Sequence, residues 1–290
     1  MPEAFIDLHA HSSVSDGTER PADLVRAAAV SGLDCVALTD HDTTAGWAEA
    51  SDAARELPLT LVPGLELSTR TGWRSVHVLG YLVDPTDPAL VAETDAIRDG
   101  RLTRARSMVD AIGRDHPITW DDVLAEASVG ATIGRPHIAD ALVRLGLETD
   151  RSAAFGGILH PSSGYYEPHD APTPLRGVEL VRAAGGVPVI AHPAASSRGI
   201  VIDEPMLREL VDAGLGGLEV DHRENVAEGK RTLLEWAERY GLFVTGSSDY
   251  HGTGKPNRLG EHRTARRSFD TIVGQATGSV PVVGPGSRLS

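Results

Sequence analysis

Apolar and polar positions along the chain alternate in a repeating rhythm. Seven short runs rich in apolar and β-branched residues stand out, at 5–8, 34–38, 59–67, 76–83, 187–191, 217–220 and 242–245. Runs of this length between turn-forming residues read as strands. Helical spacing fills several of the gaps. Pro21 opens one helical segment and Gly32 stops it, and a second segment covers 44–57. Further helical patterns at 175–185, 204–214 and 226–240 precede the fifth, sixth and seventh runs. Strands alternating with helices imply parallel β/α units, and seven repetitions predict an α/β barrel rather than an open sheet.

One stretch breaks the rhythm. Residues 86–172 read as helices without a convincing strand, with segments at 94–114, 121–127 and 136–145. A helical insertion subdomain between the fourth and fifth strands accounts for it, leaving 1–85 and 173–273 as the barrel. The Gly-, Ser- and Pro-rich stretch 274–290 is expected to form a loosely packed tail.

Composition narrows the classes. The 290 residues are 41% hydrophobic, ordinary for a globular protein, and no apolar run approaches bilayer length. Cytoplasmic residence without membrane association is the expectation. A single cysteine, Cys35, rules out an intrachain disulfide and a thiolate metal cluster, and its apolar neighbours suit a buried core residue. A net charge of −14 argues against an extended grip on duplex nucleic acid, although bound cations would invert the field locally.

The histidines carry the chemistry. The first strand runs into Asp7-Leu8-His9-Ala10-His11, and strand alternation sends both imidazoles to one side. Asp16 follows in the next loop. The second strand ends in Asp40-His41, the third carries Glu66, the fourth carries His77, the fifth ends at His192, and the seventh ends in Asp249-Tyr250-His251. Chemistry in β/α folds gathers at the carboxyl ends of parallel strands. Imidazole and carboxylate without thiolate suit borderline to hard divalent ions, and nine donors match two or three of them.

The segments HAHSSVSDGT, ALTDHDT, PGLELST, AHP and GSSDYHG, in that order across about 5–252, resemble the motifs of PHP (polymerase and histidinol phosphatase) phosphoesterases. That resemblance implies a distorted seven-stranded (β/α)7 barrel with about three divalent ions, Mn first, with Zn, Fe or Mg as alternatives. It implies His9, His11, Glu66 and Asp249 around one ion, Glu66, His77 and His192 around a second, and Asp16, His41 and His251 around a third. Asp40 would orient a neighbouring imidazole. Within the insertion, Gly134-Arg135-Pro136-His137 and the later Glu219-Val220-Asp221-His222 resemble stand-alone members acting on nucleoside 3′,5′-bisphosphates and short 5′-phosphorylated RNA. Metal-activated water attack on phosphorus would then release the 3′-phosphate and leave a 5′-AMP-type product.

Other roles are read from residue chemistry. Arg135 and Arg198 are candidates for gripping phosphate, and His222 and His137 for contacting phosphate or protonating the leaving oxygen. Tyr165 and Tyr166 are the better candidates for stacking on a base. Alternatives are a small-molecule monoesterase such as histidinol phosphatase, an amidohydrolase, and a non-catalytic metal-binding module. Many amidohydrolases bridge two metals through a carboxylated lysine; the two lysines here, Lys230 and Lys255, sit at no strand end. The sequence leaves the oligomeric state open.

Overall fold

A computed structural model describes residues 4–72, 74–128, 130–168, 170–195 and 201–289. Seven strands run side by side in chain order: β1 (Ile6–Asp7), β2 (Cys35–Leu38), β3 (Thr60–Thr71), β4 (Arg74–Tyr81), β5 (Val187–Ile190), β6 (Gly217–Asp221) and β7 (Phe243–Gly246). A parallel bridge between Ala10 and Tyr250 brings the first and last strands together just beyond their ends, so the barrel is nearly closed. Its interior is apolar, with Ile6, Cys35, Val62, Leu79, Tyr81 and Val189 all buried. The Tyr81 hydroxyl, buried with them, donates to the Leu8 carbonyl at 2.9 Å.

Helices cover the outside. Helix α1 (Pro21–Val30) and helix α2 (Trp47–Ala54) pack Leu24, Val25, Ala28 and Ala50 against Val36, Leu38 and Leu61 of the sheet. Helices α7 (Pro174–Ala183), α8 (Glu204–Asp212) and α9 (Ala227–Tyr240) cover the other side, where the largest core cluster lies. Side-chain caps fix two of their starts: Thr173 accepts from Arg176 N, and Asp203 from Met206 N. Gly241, left-handed at φ 67°, ends α9.

The insertion comprises α3 (Pro88–Ile112), α4 (Trp120–Leu124), α5 (Arg135–Arg144) and α6 (Arg151–Gly156), around Met108, Ile112, Val123, Ile138, Leu142 and Leu159. Helix α3 begins at Pro88, earlier than the spacing suggests, because Asp87 caps it by accepting from Ala89 N and Leu90 N. An ion pair and a hydrogen bond join the insertion to the barrel. Arg101 meets Asp42, and Arg151, paired with Asp140, donates to the Asp16 carbonyl at 3.2 Å.

Three features depart from the sequence expectation. Strand β4 is antiparallel to both β3 and β5, so the barrel is mixed rather than uniformly parallel. The link from Thr71 to Arg74 through Gly72, at φ 57°, is a hairpin far too short for a crossover helix. Helices α6 and α10 (Arg266–Gln275) were not anticipated. The tail is not loose: β8 (Val282–Val283) pairs antiparallel with β3, and Leu289 is buried in the barrel core. A hydroxyl contact of 2.7 Å between Ser287 and Thr60 pins the same segment.

Candidate metal centre

At the end of the barrel where the parallel strands finish, the side chains converge into one largely buried cluster, with His77 reaching it from antiparallel β4. His9 and His11 follow β1, flanking the bridged Ala10, and their Nε2 atoms lie 3.0 Å apart. Glu66 Oε2 lies 3.2 Å from His9 Nε2 and 3.1 Å from His11 Nε2. Asp249 Oδ1 lies 3.5 and 3.3 Å from the same two nitrogens. His251 Nε2 approaches Asp16 Oδ1 at 3.2 Å, and His77 Nδ1 approaches Glu66 Oε1 at 2.6 Å. His41 faces Glu66 with Nδ1 (3.3 Å) and Asp16 with Nε2 (3.8 Å), while His192 Nε2 lies 3.1 Å from Glu66 Oε1.

The backbone is bent to make this possible. Asp42, His192 and Asp249 take positive φ of 54°, 30° and 53°, three of the four non-glycine residues that do so among those described. Such strain persists where surrounding structure enforces it, and it clusters at functional sites. The loop after β1 is equally tight: a Cβ on Gly17 would sit 2.2 Å from the His11 carbonyl oxygen.

Whether cations fit can be judged from the donor set. Glu219, fully buried, places Oε1 3.0 Å from His9 Nδ1, so that nitrogen carries the proton and donates. Nε2 of His9 is then a lone pair facing His11, Glu66 and Asp249. His251 Nδ1 likewise donates to the Asp249 carbonyl at 2.9 Å, turning the Nε2 lone pair toward Asp16. His41 Nδ1 and His251 Nε2, both buried, have no hydrogen-bond partner among the described residues. Lone pairs and carboxylates pointed at one another repel unless protons or metal ions lie between them. Divalent cations fit that arrangement.

Three groups of side chains bring ligand atoms within 4.8 Å of one another: His9, His11, Glu66 and Asp249; His11, Asp16, His41 and His251; and His41, Glu66 and His77. The grouping differs in detail from the family-derived one. His11 and His41 each stand in two groups, and His192 joins through its contact with Glu66.

Electrostatics report the same crowding. Burial alone would raise the carboxyls of Asp16, Glu66 and Asp249, but neighbouring cationic groups hold all three well below their usual range. For Glu219, burial is outweighed by His9, and the carboxyl is held at about 2. Burial would lower His11, but hydrogen bonds to Asp249 and Glu66 raise it to about 9. In the metal-free protein, protons on imidazole stand in for cations.

The remaining sequence candidates divide. His222 is buried 3.6 Å from Asp249 Oδ2, with Nε2 lacking a hydrogen-bond partner among the described residues. His137, also buried, uses Nδ1 to accept from Gly134 N at 3.2 Å, capping α5 and leaving Nε2 as the donor. Arg135 lies over the rings of Phe155 and Tyr166 at 5.1 and 5.2 Å. Tyr165 instead donates to Asp115 and packs in the insertion core. Arg198 lies outside the described residues. Among the described residues Asp40 makes no direct hydrogen bond to an imidazole; it accepts from Ser12 N, Ser12 Oγ and Ser15 Oγ, holding the loop that carries Asp16, and Ser15 Oγ lies 3.4 Å from His11 Nδ1.

Sequence reasoning missed several supporting groups. Glu219 was quoted only as part of a motif. Lys255 was set aside as lying beyond the last strand, yet its Nζ is 2.7 Å from Asp249 Oδ2. Arg101 and Arg104, buried on α3, gave only helical spacing and no sign that they face the barrel. With Arg70 and Arg135 they surround one another with like charge. Burial first, then Arg101 and Arg135, lowers Arg104 to about 9.

Comparison with known proteins places these features in context. The PHP domain model matches residues 7–109. A 3′,5′-nucleoside bisphosphate phosphatase of Chromobacterium violaceum is 34% identical, over 88% of this chain and 90% of its own. A 5′-3′ exoribonuclease of Haemophilus influenzae is 32% identical, over 84% and 89%. A phosphoribosyl 1,2-cyclic phosphate 1,2-diphosphodiesterase of Eggerthella lenta is 31% identical, over 85% and 94%. Among solved structures, a Bifidobacterium adolescentis protein thought to be a metal-dependent phosphoesterase superposes with a TM-score of 0.92. Its identity is 43%, over 95% of this chain and 98% of that one.

Proposed function

The chain belongs to the PHP family of metal-dependent phosphoesterases, and on that premise we propose that it removes the 3′-phosphate from nucleoside 3′,5′-bisphosphates. The same chemistry would trim short 5′-phosphorylated RNA. The observation that carries the substrate reading is the arginine cluster beside the metal ligands. Arg70, Arg101 and Arg135 gather around the buried guanidinium of Arg104, with Tyr166 alongside and Arg101 itself paired with Asp42. Like charges held together in a partly buried place favour an anion among them, and guanidinium forks match phosphate. A second phosphate, distinct from the one being hydrolysed, suits that position. The bisphosphatase and exoribonuclease names of two relatives agree with a substrate carrying two phosphates or a phosphate and a phosphodiester.

His9, His11, Asp16, His41, Glu66, His77, His192, Asp249 and His251 would hold the cations, about three in number, with Mn the first to test. Divalent ions, when bound, lower the pKa of water and neutralise charge on phosphate. The chain's own residues do the rest. Glu219 fixes the His9 tautomer, Asp40 fixes the Asp16 loop through Ser12 and Ser15, and the insertion arginines hold the 5′-phosphate. His222, whose Nε2 lies 3.6 Å from Asp249 Oδ2, would give a proton to the departing 3′-oxygen.

Product analysis with adenosine 3′,5′-bisphosphate tests this reading, using Mn-loaded protein, an Asp249→Ala control and histidinol phosphate as comparator. Release of the 3′-phosphate, leaving 5′-AMP and abolished in the control, is the expected result. Turnover of histidinol phosphate alone would keep the phosphoesterase and overturn the nucleotide assignment.

A further inference from the structure

Helix α3 carries two arginine faces. Arg101 and Arg104 turn toward the barrel. Arg98, Leu102 and Arg106, at helical four-residue spacing, line a cavity of about 520 Å³ between α3, α4 and the segment leading to Arg135. We infer that this cavity binds the nucleoside that lies 3′ of the scissile phosphate in short RNA. The inference rests on the proposed nucleotide reading and extends it to a second nucleotide.

Four observations carry it. The cavity adjoins the metal-binding loops: Thr132 N donates to the Val14 carbonyl at 3.0 Å, two residues before Asp16. Arg98 reaches the Asp42 carbonyl at 3.5 Å, next to His41. Its wall holds a flat stacked pair, with the Arg106 guanidinium 4.8 Å from the centre of the Trp120 indole. Bases stack on such surfaces whatever their sequence. Two buried polar atoms at the cavity, Trp120 Nε1 and Thr132 Oγ1, have no hydrogen-bond partner among the described residues, and Thr132 is only 2% exposed. Finally, the rim carries two guanidiniums, Arg98 (paired with Asp95) and the exposed Arg106, against one carboxylate, Asp99, a local positive excess on a chain whose net charge is −14.

In a 5′-phosphorylated dinucleotide, the first 5′-phosphate sits on the Arg104–Arg135 cluster and the bridging phosphate on the metal centre. The second nucleoside then extends into the cavity. Water oxygen bonds to phosphorus, the bond from phosphorus to the first 3′-oxygen breaks, and that oxygen takes a proton. The products are a 5′-mononucleotide and a second nucleotide bearing a new 5′-phosphate. A nucleoside bisphosphate has nothing to place in the cavity.

The test compares kcat/KM for adenosine 3′,5′-bisphosphate and for 5′-phosphorylated ApA, in Mn-loaded wild-type protein and in Trp120→Leu and Arg106→Gln variants. Stacking worth roughly 1–3 kcal/mol per base predicts a loss of about 5- to 150-fold on the dinucleotide, and less than about twofold on the bisphosphate. Anisotropy of a labelled 5′-phosphorylated ApA should show the same weakening in binding to metal-free protein. Arg106 is exposed, so its variant carries the test should Trp120→Leu fail to fold. Equal losses on both substrates, or no loss on the dinucleotide, would overturn the inference while leaving the proposed function standing. Wild-type protein inert toward both substrates would overturn the two together.

Discussion

Glu219 Oε1 lies 3.0 Å from His9 Nδ1, and both residues are fully buried. The other oxygen of the same carboxylate accepts from His192 N at 2.8 Å, across the barrel mouth. One side chain in β6 therefore orients two candidate ligands without itself facing the cluster. It keeps the His9 proton on Nδ1 and leaves Nε2 to bind metal. Glu219→Gln preserves the shape and removes the charge. Partners of this kind typically contribute 10- to 100-fold to metal affinity or activity. A loss of about that size is expected by titration of metal-free protein with Mn, with the fold intact by circular dichroism. Unchanged affinity would show that His9 needs no such orientation.

Asp42 is buried at positive φ and accepts from Ser68 N and Ser68 Oγ. Arg101 Nε, 3.0 Å away, supplies the compensating charge from α3. Removing the arginine leaves a carboxylate buried without its counter-charge, which costs about 3–5 kcal/mol in comparable pairs. Arg101→Met should lower stability in chemical denaturation by about that amount. Asp42→Asn in the same background should restore much of it. Failure of the second change to rescue the first would mean that the arginine acts through packing.

The chain makes its candidate metal ligands legible and hides what supports them. His9 and His11 flank one residue on an extended run, and Asp40-His41 and Asp249-Tyr250-His251 end apolar runs, so local patterning places them. Glu219 sits inside a strand, where a single acid among apolar neighbours looks like an edge position. Its partner is 210 residues away. Lys255 and Arg151 reach the site from a loop and an insertion helix whose docking depends on tertiary packing. The β3–β4 hairpin is less legible for a different reason: its two-residue link, Gly72-Trp73, has the glycine a tight turn accepts but not the stronger Asn-Gly signature. The tail reads as loose by composition, and only its pairing with β3 orders it.

Protonated imidazoles stabilise the metal-free protein in a definable pH window. His11 is raised to about 9 in the fold from its ordinary 6.5, so its contribution is complete below pH 6.5 and is lost as pH rises through about 9. Metal binding needs the same nitrogen unprotonated and shows the opposite trend. Metal-free protein should therefore melt at a lower temperature at pH 9.5 than at pH 6.5. Added Mn should raise the melting temperature more at the higher pH. Thermal scans with and without chelator check both; a metal-induced shift that shrinks with rising pH would contradict the assignment.

Arg104 sets stability against function. It is buried on α3 with Arg101, Arg135 and Arg70 as charged neighbours, and burial together with their repulsion lowers it to about 9. On the proposed reading, a substrate anion among these groups would relieve the part of the repulsion that the Arg101–Asp42 pair leaves. Removing a buried guanidinium that like charges surround relieves their mutual repulsion. Arg104→Met should thus hold or raise the melting temperature of the free protein. A charged hydrogen bond is worth about 1.5–3 kcal/mol, so KM for adenosine 3′,5′-bisphosphate should rise by about 10- to 100-fold. KM for adenosine 3′-monophosphate, which has no 5′-phosphate, should stay nearly constant. Equal rises for both substrates would move Arg104 from the 5′-phosphate to the reacting one. A fall in melting temperature would show instead that the arginine cluster is a structural element of the insertion.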